Sequence, residues 1–294
     1  MLHVENLKGI FVPVATPFTQ DGEIDLASFI HYLEELLRHP IQGIVLNGTT
    51  GEAPTVEWAE VETLFHAART VIRRLGICMP IIVGTGTNDT RTTIRRTEAA
   101  GKWGADAVLA VTPYYSRPSA DGVYRHFKAV AHTGVPLVAY EVPERTGIRV
   151  PVDTMVRILE LDGVIGLKDA SGGFELVNAL AGRSAKPILA GSDDLFAAML
   201  RYGASGGLLA SAHVRTEAFL EVYRLAEEGR YDEAEAAFSK LLPLIRLLFR
   251  ETNPAPIKWV LAQAGLFASD ALRLPLTPIT QELQKELSAF LASP

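Results

Sequence analysis

Short apolar runs recur along the chain at 9–16, 43–48, 80–86, 107–112, 136–142, 164–170, 187–191 and 206–211, with starts 19 to 37 residues apart. That interval fits one strand followed by one returning helix. The segments between the runs carry helix signals. "DLASFIHYLEELLRH" opens on Asp25 and sets Phe29, Leu33, Leu36 and Leu37 on one face. "TVEWAEVETLFHAARTVIRRL" offers Thr55 as an N-cap and places Arg73 and Arg74 at the negative end of the helix dipole. Eight strand–helix units predict a closed, parallel (β/α)8 barrel, a TIM barrel. An open doubly wound sheet is the alternative, but no GxGxxG follows the first strand, and "GTGTND" at Gly84 reads as a loop rather than a nucleotide cradle. After about Ala212 the strands stop, and three further stretches, the last being "TPITQELQKELSAFLAS", have helical period. The chain therefore divides into a barrel over 1–225 and a C-terminal helical domain over 226–294.

Composition narrows the functions open to such a chain. With 48% hydrophobic and 21% charged residues it is a well-cored folded protein. A net charge of −6 provides no excess of cations to neutralise nucleic-acid phosphates. No apolar run reaches the length of a membrane span, and the start goes directly into a strand-like segment, so a soluble, cytoplasmic protein is expected. Cys78 is the single cysteine, and the seven histidines form neither HExxH nor any other metal spacing, so neither a disulfide framework nor a metal is expected.

In a barrel of this kind the catalytic groups come from the C-terminal ends of the strands and the loops after them. "VIGLKDASGG", from Val164 to Gly173, is a short apolar strand that carries Lys168 near its end. A buried ammonium loses its hydration, and the neutral amine is the form in which lysine acts as a nucleophile. On this stretch alone, a strand-end lysine that snorkels to solvent is the plainer alternative. Alternation puts Val164, Gly166 and Lys168 on one face, and an inward Lys168 would find space above Gly166. Tyr140 lies late on the neighbouring strand, "GTTGE" (48–52) follows the second strand, and "PYYSRP" (113–118) follows the fourth. Lysine, phenol and hydroxyls thus gather at one mouth. Asp193 and Asp194 in "GSDD" read as caps for the following helix.

With "YEVPERTG" (140–147), "GLKDASG" (166–172), "AGSDD" (190–194), "NPAPIKW" (253–259) and "LRLPLTP" (272–278), these motifs resemble the dihydrodipicolinate synthase/N-acetylneuraminate lyase family over essentially the whole chain. The resemblance implies a barrel with a helical C-terminal domain, in a homotetramer built from two tight dimers. It makes Lys168 the Schiff-base nucleophile toward pyruvate and Tyr140 the proton relay, with Thr49 and Tyr115 completing a hydroxyl chain, Tyr115 from the partner subunit. Thr50 then holds the pyruvate carboxylate, and Leu208 contributes backbone to the pocket. A tyrosine suits the relay because phenol and amine have similar reference acidities. The protonated imine formed on the lysine withdraws the electrons itself, so no cofactor is expected.

The second substrate is a small aldehyde. Arg145 matches the arginine that in dihydrodipicolinate synthases binds the carboxylate of aspartate semialdehyde, a role suited to paired guanidinium donors. Glu141 stands where most family members have asparagine, which keeps open an aldolase or dehydratase acting on a 2-keto-3-deoxy sugar acid or 4-hydroxy-2-oxoglutarate. A non-catalytic keto-acid-binding barrel is the reading from another class. Lysine-sensitive members place an acid where this chain has Thr92, and a polar group where it has Trp58 and, one turn later, Val61; Asp89 is the nearest substitute. Insensitivity to lysine is expected.

Overall fold

Each of the eight apolar runs contains a strand, in a computed structural model that describes residues 1–180, 183 and 186–292. The strands are β1 (Gly9–Pro13), β2 (Gly43–Leu46), β3 (Ile81–Gly84), β4 (Ala107–Val111), β5 (Leu137–Glu141), β6 (Val164–Asp169), β7 (Ile188–Ala190) and β8 (Gly206–Leu208). All are parallel and pair in chain order, and β8 returns to β1, so the barrel closes without a free edge. Alternation sorts the side chains into two cores. Phe11, Val45, Ile82, Leu109, Val138 and Leu189 fill the interior together with Leu2 and Leu7 from the N-terminal segment. Ile10, Ile44, Val83, Val108 and Leu167 face outward into the core shared with the helices.

The first four strands are followed by α1 (Leu26–Leu36), α2 (Trp58–Leu75), α3 (Thr90–Trp103) and α4 (Ala120–Ala131). After β5 come the single turn α5 (Pro143–Thr146) and then α6 (Val152–Leu159). α7 (Glu175–Leu180), α8 (Phe196–Arg201) and α9 (Thr216–Glu227) follow the last three strands. Asp25 caps α1 as expected, accepting from Ser28 N at 3.0 Å, and the expected apolar face is buried. α2 differs from expectation. It begins at Trp58 with Glu57 at the N-cap, in a reciprocal capping box with Glu60. Thr55 belongs instead to the turn before it, donating its hydroxyl to the Glu52 carbonyl, so it cannot cap a helix that starts later.

β6 also departs from simple alternation. Leu137 pairs with Val164 but Val138 pairs with Gly166, leaving Ile165 as an extra, bulged residue. Val164 therefore faces the helices while Ile165 joins the barrel interior, and Val164 does not share a face with Gly166 and Lys168. Gly166 offers no free space either: a Cβ there would lie 2.4 Å from Leu7 Cδ2 and 2.7 Å from the Pro187 carbonyl. The glycine is needed because the floor of the barrel packs against that backbone.

Beyond α9 the chain is helical, with α10 (Tyr231–Ser239), α11 (Leu242–Leu248), α12 (Ala255–Gln263) and α13 (Gln281–Ala292). The expected division at 225/226 falls within the last turn of α9, and Ser293 and Pro294 lie outside the described residues. Among the described residues no helix is long and apolar enough to cross a membrane. The tail is joined to the barrel by a buried ion pair. Lys258 of α12 places Nζ 2.6 Å from Glu52 Oε1, and both side chains are fully buried. The other Glu52 oxygen accepts from Arg273 N at 3.1 Å. Phe18 lies beneath both cations, its ring centre 4.2 Å from Lys258 Nζ and 4.4 Å from the Arg273 guanidinium. Arg273 in turn makes paired bonds of 2.6 Å to Glu60 of α2. Burial pulls the Lys258 ammonium below its usual range while Glu52 acts in the opposite sense.

Removing one partner of such a pair strands the other charge in the interior. Lys258→Met is expected to cost about 3–5 kcal/mol, seen as a lowered melting temperature, with Glu52→Gln/Lys258→Met recovering most of that loss. A loss in the double variant equal to the sum of the Lys258→Met and Glu52→Gln losses would show that the pair is not coupled.

Candidate active site

Neighbouring strands bring the two principal side chains together. Tyr140 on β5 is in register with Lys168 on β6, both point inward, and Lys168 Nζ lies 4.3 Å above the centre of the Tyr140 ring. Lys168 is 7% exposed, so the snorkelling alternative is excluded. Gly191, just after β7, makes room for it, since a Cβ there would lie 2.8 Å from Lys168 Cε. The amine opens into a cavity of about 850 Å³ at the C-terminal end of the barrel. Thr49, Thr50, Tyr140, Arg145 and Leu208 line it, so five of the other expected site residues converge on Lys168.

Tyr115 does not. It is 89% exposed, at a φ of +69°, and does not line the chain's own cavity. Among the described residues no hydrogen bond links Lys168, Tyr140 and Thr49. Thr50 is placed more firmly, its Oγ1 accepting from Asn253 Nδ2 at 3.1 Å. Arg145 lies on α5 at the rim, exposed and without an ion pair among the described residues. The helical tail forms the outer wall through Ile245, Arg246, Phe249 and Asn253.

Three buried carboxyls lie at or just after the ends of β5, β6 and β7, and of these Asp193 lines the cavity. Asp193 does not cap a helix: its oxygens accept from Ala210 N at 3.3 Å and Ser211 N at 2.5 Å, across to the turn after β8. The β8 turn presents two unpaired amides there, and they outcompete the local cap. Burial pushes the Asp193 carboxyl above its usual range, against the amide bonds and the Lys168 charge. Glu141 points away from the axis, as alternation requires. It accepts from Thr112 Oγ1 and from Val150 N, each at 2.8 Å, and so neither faces the cavity nor pairs with Arg145. Burial raises its pKa as well, with those hydrogen bonds opposing. Asp169 accepts from Ser171 N at 2.9 Å and is likewise shifted upward by burial.

Asn253, Asp193 and Gly191 are the contributors that sequence reasoning missed. Asn253 stands in "NPAPIKW", where the motif is visible but its partner, 203 positions away, is not. Gly191 and Asp193 stand in "AGSDD", and the contacts that define them come from the neighbouring strands β6 and β8.

A second cavity, of about 500 Å³, shares Thr49, Tyr140 and Arg145 and extends to Asn88, Asp89, Thr92 and Arg96. Asp89 is already engaged at the N-terminus of α3, accepting from Thr92 Oγ1 at 2.5 Å and Thr92 N at 2.8 Å, bonds that hold its carboxyl below the usual range. Arg96 brings a cation to this wall, 5.2 Å from the ring centre of Trp58, which stacks on Trp103 at 4.9 Å. Among the described residues no group of three or more His, Cys, Asp or Glu side chains is arranged to hold a metal ion.

His213 ties the end of β1 to the turn after β8. Its Nε2 accepts from Ala15 N at 3.1 Å and its Nδ1 donates to the Ala210 carbonyl at 2.8 Å. Burial holds the ring at about 4, below the 6.5 of a free histidine, so the unfolded chain binds the proton first as pH falls. The stabilisation from the neutral ring is complete above pH 6.5 and is lost as pH falls toward 4. It amounts to about 3 kcal/mol. The unfolding free energy of the parent minus that of His213→Gln is therefore expected to shrink over this window. A constant difference would contradict the assignment. His126, also held at about 4 by burial, titrates in both proteins and cancels in the difference.

A family model described as the Dihydrodipicolinate synthetase family matches residues 6–293. The chain is 38% identical over 292 residues to 4-hydroxy-tetrahydrodipicolinate synthase 2 of Clostridium acetobutylicum, covering 97% of this chain and 99% of that one. Its structure is similar to that of the chloride-inhibited dihydrodipicolinate synthase from Acinetobacter baumannii complexed with pyruvate, with a TM-score of 0.91, 36% identity, and coverage of 97% and 98%. It is also similar to the lysine-bound enzyme from Cyanidioschyzon merolae, with a TM-score of 0.93, 28% identity, and coverage of 98% and 97%.

Proposed function

The chain belongs to the dihydrodipicolinate synthetase family, and we propose that it condenses pyruvate with L-aspartate 4-semialdehyde to 4-hydroxy-tetrahydrodipicolinate through a Schiff base on Lys168. The observation that carries this reading is the buried Lys168 amine, stacked over Tyr140 at the closed inner end of the cavity. Its lone pair attacks the ketone carbon of pyruvate, the oxygen leaves as water, and a protonated imine remains. The imine withdraws electrons from the methyl group, which loses a proton to become an enamine. The enamine carbon then bonds to the aldehyde carbon. Tyr140 and Thr49 carry protons to and from the departing oxygen, Thr50 holds the pyruvate carboxylate, and the Leu208 backbone walls the pocket.

Arg145, an exposed cation without an ion pair among the described residues, binds the aldehyde's carboxylate. Glu141 does not oppose it, because both its oxygens are bonded on the far side of β5. The synthase reading is therefore preferred over a sugar-acid lyase. An exposed tyrosine held at positive φ is suited to a partner's site, so we place Tyr115 in the hydroxyl chain of a second subunit within a tetramer of two tight dimers, in the cytoplasm.

Borohydride reduction in the presence of pyruvate is expected to add a pyruvate-derived mass to the peptide containing Lys168. Arg145→Ala should keep that adduct and lose about a hundredfold in kcat/KM for aspartate semialdehyde. Absence of the adduct in the parent sinks the enzyme reading, and full activity of Arg145→Ala sinks the substrate assignment alone. Millimolar lysine is expected to leave both rate and melting temperature unchanged, because Asp89 is engaged and Arg96 adds a like charge. Half-inhibition below a millimolar would reverse that conclusion.

A further inference from the structure

Among the described residues the hydroxyl assigned to the pyruvate carboxylate has one hydrogen-bond partner, and that partner is a donor. Thr50 Oγ1 accepts from Asn253 Nδ2 at 3.1 Å, with Thr50 2% and Asn253 7% exposed. A hydroxyl carries one hydrogen and two lone pairs. The Asn253 amide occupies a lone pair, and among the described residues the Thr50 hydrogen has no acceptor. Asn253 Oδ1 is buried without a partner, so the side-chain amide is committed to Thr50 alone. Both residues line the cavity into which Lys168 opens.

We propose that Asn253 is a positioning residue that orients the Thr50 hydroxyl as a hydrogen-bond donor toward the keto-acid carboxylate. The inference rests on the pyruvate site described above. A carboxylate has only acceptors to offer, so the hydroxyl must present its hydrogen to it. An amide donor behind the oxygen leaves the hydrogen pointing forward. An acceptor in the same place would draw it back and turn lone pairs toward the substrate. The geometry is held from outside the barrel. Asn253 precedes α12, whose Lys258 grips Glu52, two residues after Thr50. One buried lock therefore fixes both ends of the Thr50–Asn253 hydrogen bond.

The test uses Asn253→Asp, which keeps the shape and replaces the donor by an acceptor. Pyruvate dependence is read from borohydride trapping at Lys168, without an aldehyde present, and melting temperature is measured alongside. The half-saturating pyruvate concentration is expected to rise by about tenfold or more, the scale of one hydrogen bond to a charged group. The extent of trapping at saturation is retained. In a Thr50→Val background the same substitution should raise half-saturation by less than about twofold, because no hydroxyl remains to be turned. An equal rise in both backgrounds would mean that the new carboxylate acts on pyruvate directly, and would overturn the proposal. An unchanged half-saturation in Asn253→Asp overturns it as well. Should that variant fail to fold, Asn253→Leu is measured in the same two backgrounds. A rise of about threefold that vanishes with Thr50→Val supports the proposal, and a rise in both backgrounds, or none in either, refutes it. A parent that traps no pyruvate at Lys168 fails at the earlier step, which separates the two readings.

Discussion

A carboxylate and an ammonium, both fully buried and 2.6 Å apart, hold this molecule's two parts in one arrangement. Burying either charge alone is costly, so Glu52 and Lys258 each require the other in place. Glu52 sits in the turn that begins with Thr49 and Thr50, and Lys258 sits on the helix that begins just after Asn253. The pair therefore does more than dock a helical tail on a barrel. It sets the position of the hydroxyl loop at the floor of the cavity relative to the wall opposite. Arg273 extends the same contact to Glu60 and the start of α2, so loop, barrel helix and tail are tied together. The barrel motif "GTTGE" and the tail motifs "NPAPIKW" and "LRLPLTP" are one buried cluster distributed over three segments of chain.

The barrel is legible in the sequence because eight apolar runs at strand–helix spacing allow few closed solutions, and the strands form where the runs lie. Local backbone register is not legible. The bulge at Ile165 is invisible in a run of apolar residues and glycine, since alternation needs a polar face to be read. The N-cap of α2 departs from expectation for a related reason. Thr55 has the right chemistry for a cap, but its hydroxyl is occupied in a turn built around Glu52, whose position depends on Lys258 far along the chain.

The site shows the same division. Lys168 and Tyr140 are legible because adjacent strands at matched depth must bring their ends together. Thr49, Thr50 and Arg145 stand in motifs at strand ends, Leu208 follows only from the family resemblance, and all four line the cavity. Asp193 resembles a cap because a short acid before a helix satisfies local rules. Its actual partners are amides on β8's turn, and only closure of the barrel brings them near. Tyr115 is the opposite case, a residue that its motif groups with the site but that the chain's own cavity does not include.

Charge at this mouth is divided by sign. The buried acids serve architecture: Glu141 holds Val150 N, Asp169 holds Ser171 N, and Asp193 holds Ala210 N and Ser211 N. Each staples a loop that leaves a strand end, and the amides they occupy are donors that would otherwise lack a partner there. Glu144 and Asp194, acids on the cavity wall without a side-chain hydrogen bond or ion pair among the described residues, lie exposed at the rim, where water screens them. Arg250 is paired with Glu286, but two other basic groups of the wall are treated differently. Lys168 lies over an aromatic face rather than against a carboxylate, and Arg145 has no acid partner among the described residues. A protein with a net charge of −6 thus leaves positive groups uncommitted at the one place where two carboxylate-bearing substrates must bind. Glu141 is tolerated beside this site because it is one of the architectural acids. Its carboxyl is satisfied by hydrogen bonds behind β5 and never enters the space that Arg145 addresses.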